Sequence, residues 1–270
     1  MLIEITYACS MGCSHCMSDC KPDGQHMSIH TFKDALNFLL QYDIPTWIFS
    51  GGEPFEHPDI LQMLDVLEEK WSQTKQRYPL MFITNGRELA HNKDIYRRIE
   101  KLQQKYSKKY IWIQVTDDPR FYPNPLSEKE KCWLKKLNAI VEPVPGNPAN
   151  QEKCLYPQGR ALDNYPNAEW NTVGPKCVNC ILLAKQQTQI ESIKQLVSVL
   201  TANGRVCTPV IAPDGSIKLG ESALCPAAAS IYDDESTIIK KIRNHKCHKC
   251  TIAWDILKEK NLLAYTVANL

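Results

Sequence analysis

Five short apolar stretches recur through the first half of the chain: Leu2–Thr6 (LIEIT), Thr46–Phe49 (TWIF), Leu80–Thr84 (LMFIT), Tyr110–Thr116 (YIWIQVT) and Ala139–Val144 (AIVEPV). Their shortness and their β-branched and aromatic content predict strands. Between them, Thr31–Tyr42, His57–Gln76, Lys93–Tyr106 and Ser127–Leu137 carry apolar residues at helical spacing, with Ser28 a predicted N-cap and Pro58 near a first turn. This alternation leaves few topologies. It requires a parallel sheet with helices outside it, joined by right-handed crossovers. The predicted fold is therefore α/β, either a doubly wound sheet or a barrel.

In barrels, functional groups gather at the C-terminal strand ends. The cysteine-rich loop, SGGEP, TNG and VTDD each follow or close a predicted strand and would meet on one face. Past about Gly146 the pattern changes. Asn147–Pro175 is rich in Pro, Asn and Gly without a period, and such stretches are functional or linking. A long helix (Ile181–Leu200) and a hairpin around Pro213-Asp214-Gly215 are predicted beyond it.

A formal charge of +2 gives no electrostatic basis for nucleic-acid or membrane binding. No apolar run approaches the roughly 20 residues that span a bilayer, and MLIEITYACS lacks a signal peptide's basic and apolar regions. A cytoplasmic protein is expected. Twelve cysteines are many for a reducing compartment, where clustered thiols hold metal more often than they form disulfides. Soft thiolates select zinc and iron–sulfur clusters.

The densest cluster is YACSMGCSHCMSDC, with Cys9, Cys13, Cys16 and Cys20 spaced C-x3-C-x2-C-x3-C. Four thiolates could close a structural zinc site or carry an electron-transfer cluster. Three thiolates with the fourth as bystander would leave a coordination position open. The cysteine loop follows the first predicted strand, and Gly51-Gly52-Glu53-Pro54 follows the second. That combination resembles the radical SAM enzyme superfamily.

The resemblance implies a partial (β/α)6 TIM-like barrel over residues 1–160, followed by a small cysteine-rich extension over 161–270. It implies a [4Fe–4S] cluster on Cys9, Cys13 and Cys16, with the fourth iron open to S-adenosylmethionine. One electron from the reduced cluster would cleave the sulfonium to methionine and a 5′-deoxyadenosyl radical. Gly51, Gly52, Glu53 and Pro54 would hold the amino group of the methionine moiety, and His15 would pack near adenine. Asn85, Gln114 and Thr116 end strands that line such pockets, although relatives carry Ser-x-Asp where Gln114-Val115-Thr116 stands here. Gly159-Arg160-Ala161 resembles a segment after the sixth strand of many relatives, and Arg160 could reach a carboxylate. Cys20 is then an inert loop thiol or, alternatively, a substrate-side or redox thiol at the pocket edge.

A second set, Cys207, Cys225, Cys247 and Cys250, together with Gly220, resembles a twitch domain, the short form of the SPASM domain. It implies one auxiliary [4Fe–4S] cluster. Cys154, Cys177 and Cys180 could take part in a second cluster or a zinc site, and Cys132 in EKEKCWLKKL reads as an ordinary buried thiol. The implied reaction is radical oxidation or crosslinking of a small molecule or a peptide, fed by an electron donor such as flavodoxin or ferredoxin. No recognition domain precedes the first predicted strand, so a peptide maturase would use a separate recognition chain. A non-enzymatic iron–sulfur or zinc scaffold is the remaining alternative.

Overall fold

The computed structural model describes residues 1–74, 78–143, 155, 158–165, 190–201, 209–220, 223 and 225–245. The chain divides into two compact units. One comprises Met1–Ser14, Cys20–Pro145 and Ile211–Gly215; the other comprises His15–Asp19, Gly146–Val210 and Ser216–Leu270.

In the first unit, β1 (Leu2–Thr6), β2 (Trp47–Gly51), β3 (Leu80–Thr84), β4 (Ile111–Thr116) and β5 (Ala139–Glu142) pair in parallel in the order β5-β4-β3-β2-β1. Spatial order follows chain order without a reversal. A doubly wound sheet needs a reversal; a barrel does not. The open parallel sheet is thus of the partial TIM-like barrel class. The segment expected to hold a sixth strand, before Gly159, lies largely outside the described residues. Successive right-handed crossovers in one direction put their helices on one face. These helices are α1 (Ile29–Gln41), α2 (Ile60–Ser72), α3 (Arg87–His91), α4 (Lys93–Tyr106) and α5 (Glu128–Lys135).

The strand pattern reports the covered face. Ile111, Ile113 and Val115 of β4 are buried, while Trp112 between them is 47% exposed and Ile140 of β5 is 56% exposed. Under the helices the core is aromatic: the Phe49 and Phe82 rings stack at 5.3 Å, with Phe55 at 5.6 Å from Phe82 and Phe32 at 6.0 Å from Phe49. Each such buried side chain contributes about 1.5–3 kcal/mol relative to exposure. That outweighs a surface ion pair such as Lys105–Glu68, which water screens.

Several boundaries differ from the sequence pattern. Helix α2 starts at Ile60 because Pro54–Glu56 form a separate 3-10 turn ending at His57. The His57 ring bonds Met27 O through Nε2 (2.9 Å) and accepts from Asp59 N at Nδ1 (3.0 Å). The predicted helix Ile181–Leu200 starts only at Ile193 within the described residues. Ser192 Oγ caps it by accepting from Gln195 N (3.3 Å), and Glu235 Oε1 accepts from Ile193 N (2.9 Å). Residues 181–189 lie outside the described residues.

The turn at Pro213-Asp214-Gly215 forms, closed by Gly215 N donating to Ala212 O (2.9 Å). In the second unit, Ser216–Lys218 pairs antiparallel with Ala227–Ser230, and Asp234 caps the helix Glu235–Arg243. Cys132 is exposed, contrary to the buried thiol expected. The inward stripe here is Leu134 and Leu137, and Cys132 falls off it.

Helix α5 opens with a capping box: Ser127 Oγ accepts from Glu130 N (3.3 Å), and Glu130 Oε2 accepts from Ser127 N (2.7 Å). Ser127→Ala removes half of that exchange and should lower stability by about 1 kcal/mol in urea unfolding. An unchanged midpoint would show that the box contributes nothing.

Candidate active site

The cysteine loop is held within the first unit from three sides. Cys9 N donates to Lys21 O (3.0 Å), beside a bridge between Ala8 and Lys21. Glu56, in the 3-10 turn after β2, accepts from Ser10 N (2.8 Å) and Ser10 Oγ (2.7 Å). Ser14 N donates to Phe121 O (3.0 Å), in the loop after β4. These anchors come from the exits of β1, β2 and β4, so the parallel sheet gathers the loop at its C-terminal edge. Cys13 and Cys20 are buried, and Cys9 and Cys16 are half-buried. His15, half-buried, and Cys16 fall in the second unit.

Burial pushes the Cys9 thiol up to about 12, and the carboxylates of Glu53 and Glu56 add in the same direction. Without metal it is a neutral thiol, and metal binding would release its proton. Among the described residues no three His, Cys, Asp or Glu side chains gather as ligands of a single metal ion.

Gly51 and Gly52 run against the exit of β1. Gly52 N donates to Thr6 O (2.7 Å) and Glu53 N to Ala8 O (2.8 Å). A Cβ on Gly51 (φ +134°) would lie 2.0 Å from Thr6 O, and one on Gly52 would lie 2.2 Å from Ala8 O. The chain's own backbone therefore already demands glycine at both positions.

Glu53, 1% exposed, takes a structural post. Its Oε1 accepts from Thr84 Oγ1 (2.6 Å) and Phe55 N (3.1 Å), and its Oε2 from Asn85 N (2.7 Å). The GGEP loop is thereby stapled to the end of β3. Burial pushes the Glu53 carboxyl up to about 7, against the pull of these three bonds. Pro54 is buried at the first position of the 3-10 turn.

Beside this staple, Asn85 Oδ1 accepts from Arg87 N (2.9 Å), while the buried Nδ2 has no partner. Two unused N–H groups in a buried amide are costly. A polar ligand at the strand ends would satisfy them, and S-adenosylmethionine, with its carboxylate and ribose oxygens, fits that need.

On β4, Thr116 Oγ1 bonds Tyr122 OH (2.8 Å) and Gln114 Nε2 donates to Glu142 Oε1 of β5. Arg160 pairs with Asp19 within the second unit (3.0 Å). Of the second cysteine set only Cys225, half-buried, is described; Cys207, Cys247 and Cys250 lie outside the described residues, as do Cys154, Cys177 and Cys180.

Three groups at this edge carry no motif. Glu56 is an acid just past GGEP, and nothing local marks it as an anchor for Ser10. Tyr122 is buried, and burial with Cys13 nearby drives its phenol far up. Glu4, an acid inside an apolar strand, is 2% exposed and accepts from Tyr7 OH (2.7 Å). A charge within LIEIT was the one available signal.

Residues 3–124 match the Radical SAM superfamily. Over 84 residues, 31% of this chain, the sequence is 30% identical to the antilisterial bacteriocin subtilosin biosynthesis protein AlbA of Bacillus subtilis. Over a stretch of the same length it is 32% identical to the mycofactocin maturase MftC of Mycobacterium tuberculosis. The match spans only 17% of AlbA and 20% of MftC. Among solved structures, anSMEcpe with bound AdoMet and Cp18Cys peptide superposes with a TM-score of 0.55 at 14% identity, over 90% of this chain and 80% of that one. Streptococcus suis SuiB bound to precursor peptide SuiA gives 0.53 at 11% identity, over 91% and 66%. BtrN in complex with AdoMet and 2-DOIA gives 0.50 at 14% identity, over 96% and 87%. At these identities the likeness is one of fold. No helix among the described residues is long and apolar enough to cross a membrane.

Proposed function

We propose, from the premise that residues 3–124 are a radical SAM domain, that this chain cleaves S-adenosylmethionine reductively and uses the resulting radical on a peptide. The observation that carries the proposal is C-x3-C-x2-C after β1 and GGEP after β2 inside the matched segment, with Glu53 N bonded to Ala8 O just before Cys9. When bound, the cluster and S-adenosylmethionine supply the electron transfer and the hydrogen-abstracting 5′-deoxyadenosyl radical.

The chain's residues bind and orient. Cys9, Cys13 and Cys16 would hold the cluster, with its open position left to S-adenosylmethionine. The Gly51–Pro54 backbone and Glu53 would receive the cofactor's amino group. Asn85 Nδ2 would donate to a cofactor oxygen. Gln114 and Thr116 would border the ribose side, and His15 would pack near adenine. Cys207, Cys225, Cys247 and Cys250 would hold one auxiliary cluster, and a flavodoxin or ferredoxin would deliver the electron.

A peptide substrate is supported by the relatives: a bacteriocin biosynthesis protein, a maturase, and two structures holding peptides. BtrN, holding 2-DOIA, keeps a small molecule as the second reading.

Anaerobic reconstitution with iron and sulfide, followed by dithionite and S-adenosylmethionine, should release 5′-deoxyadenosine. A fully iron-loaded chain that releases none would overturn the enzyme reading in favour of a scaffold. Mass spectrometry of short peptides encoded beside this chain's gene then separates the two substrate readings, because a modified peptide should lose hydrogen.

A further inference from the structure

The turn after the third cysteine of the triplet is held by residues far away in sequence. Within the second unit, Cys16 O accepts from Asp19 N (3.4 Å), closing the turn, and from Arg160 N (2.9 Å). Arg160 Nη1 also bonds Asp19 Oδ1 at 3.0 Å. Gly159 has φ +54°, and a Cβ there would lie 2.5 Å from Cys16 O and 2.7 Å from Met17 O. From a second direction, Ser18 Oγ accepts from Ala223 N (3.1 Å). Asp19 itself sits at φ +48°, a conformation a non-glycine residue keeps only when its surroundings hold it.

We propose that Gly159 and Arg160 are positioning residues for Cys16: they clamp the Cys16–Asp19 turn, so that the Cys16 thiolate stays aimed at its iron. The proposal rests on the radical SAM reading given above. The physical case is additive. Only glycine lets α6 (Gly159–Asn164) begin this close to the Cys16 carbonyl. The Arg160 N–H then fixes the plane of the peptide that follows Cys16, and with it the direction of the Cys16 Cα–Cβ bond. The Arg160–Asp19 pair is partly exposed and weak alone, but it closes the far end of the same short turn. Supporting contacts of this kind around a metal ligand govern metal affinity by about 10- to 100-fold. Arg160 thus acts through Asp19 and Cys16, not on the carboxylate of the cofactor.

The test uses the full reconstituted chain with Arg160→Gln, Asp19→Asn, the double variant and Gly159→Ala. Each is read by the rate of iron loss to a chelator and by the electron paramagnetic resonance of the dithionite-reduced cluster. Signal and iron that survive in Cys13→Ala are subtracted as belonging to other cysteines. Arg160→Gln and Asp19→Asn each weaken one ion pair and should lose iron about threefold faster and shift the cluster's resonance. The double variant should do no worse than either single variant, because both remove one contact. Gly159→Ala should lose iron at least as fast; if it does not fold, the other variants still decide. Wild-type iron loss and resonance in both single variants would overturn the clamp. So would an Arg160→Gln chain that keeps its cluster but binds S-adenosylmethionine about tenfold more weakly while Asp19→Asn is silent. A wild-type chain with no Cys13-dependent cluster would instead overturn the radical SAM reading, and the clamp with it.

Discussion

Cys13→Ala is expected to remove one cluster's worth of iron, about four atoms per chain, and to reduce 5′-deoxyadenosine release to background. Cys20→Ala is expected to change neither. The contrast follows from how the two thiols are placed. Cys13 precedes Ser14, which is pinned to Phe121 O, and it shares the loop whose other end Glu56 holds at Ser10. Cys20 is 4% exposed and precedes Lys21, whose carbonyl is already committed to Cys9 N. Between Cys16 and Cys20 the chain makes a closed turn, with Asp19 in a left-handed conformation. A closed four-thiolate site would bind no cofactor through its iron. Iron analysis and chromatography of the products on the same samples decide the matter. Loss of iron from Cys20→Ala would mean that all four thiolates ligate and that the open position does not exist.

The strands and helices of the first unit were legible because their signals are local. LMFIT and IWIQVT are short apolar runs rich in β-branched and aromatic residues, KDIYRRIEKLQQKY repeats at helical spacing, and Ser28 caps a helix where its type suggests. The winding was legible from the alternation, but the choice between barrel and doubly wound sheet needed the observed strand order. Cys132 was misplaced because composition marks cysteine as buried, whereas burial in a helix depends on which stripe faces the sheet. Within the described residues the helix through Leu200 begins at Ile193 because Ser192 caps it, a break that the apolar spacing did not signal.

At the site, type and spacing singled out Cys9, Cys13, Cys16 and Gly51–Pro54. What sequence could not give was their support. Glu56 meets Ser10 across 46 residues, Glu53 meets Thr84 across 31, and Arg160 meets Asp19 across 141. Contacts this distant leave no local pattern, and an acid or arginine that makes them looks like any solvated charge.

Glu53 gives the other large effect. Its carboxyl is pushed from 4.5 to about 7, chiefly by burial. The folded chain therefore keeps that proton in a range where the unfolded chain has lost it. Unfolding between these two values releases a proton, so Glu53's contribution to stability is greatest below pH 4.5 and is lost as pH rises to about 7. The size of the loss is about 3 kcal/mol. Glutamine cannot titrate, so Glu53→Gln cancels this slope whatever its own hydrogen bonds cost. In urea unfolding of the metal-free chain, the stability difference between wild type and Glu53→Gln should change by about 2.5 kcal/mol between pH 5 and pH 8, in the direction that disfavours wild type at high pH. A pH-independent difference would mean that Thr84 Oγ1, Asn85 N and Phe55 N hold Glu53 ionised throughout. The same proton bears on binding. The amino group that coordinates iron is the neutral amine, an N–H donor, and a protonated Glu53 is a poorer acceptor for it than the carboxylate. Affinity of the clustered chain for S-adenosylmethionine should therefore rise more steeply as pH climbs through 7 in wild type than in Glu53→Gln. Equal pH profiles in the two proteins would place the amino group on the Gly51–Gly52 backbone alone and leave Glu53 only its staple to β3.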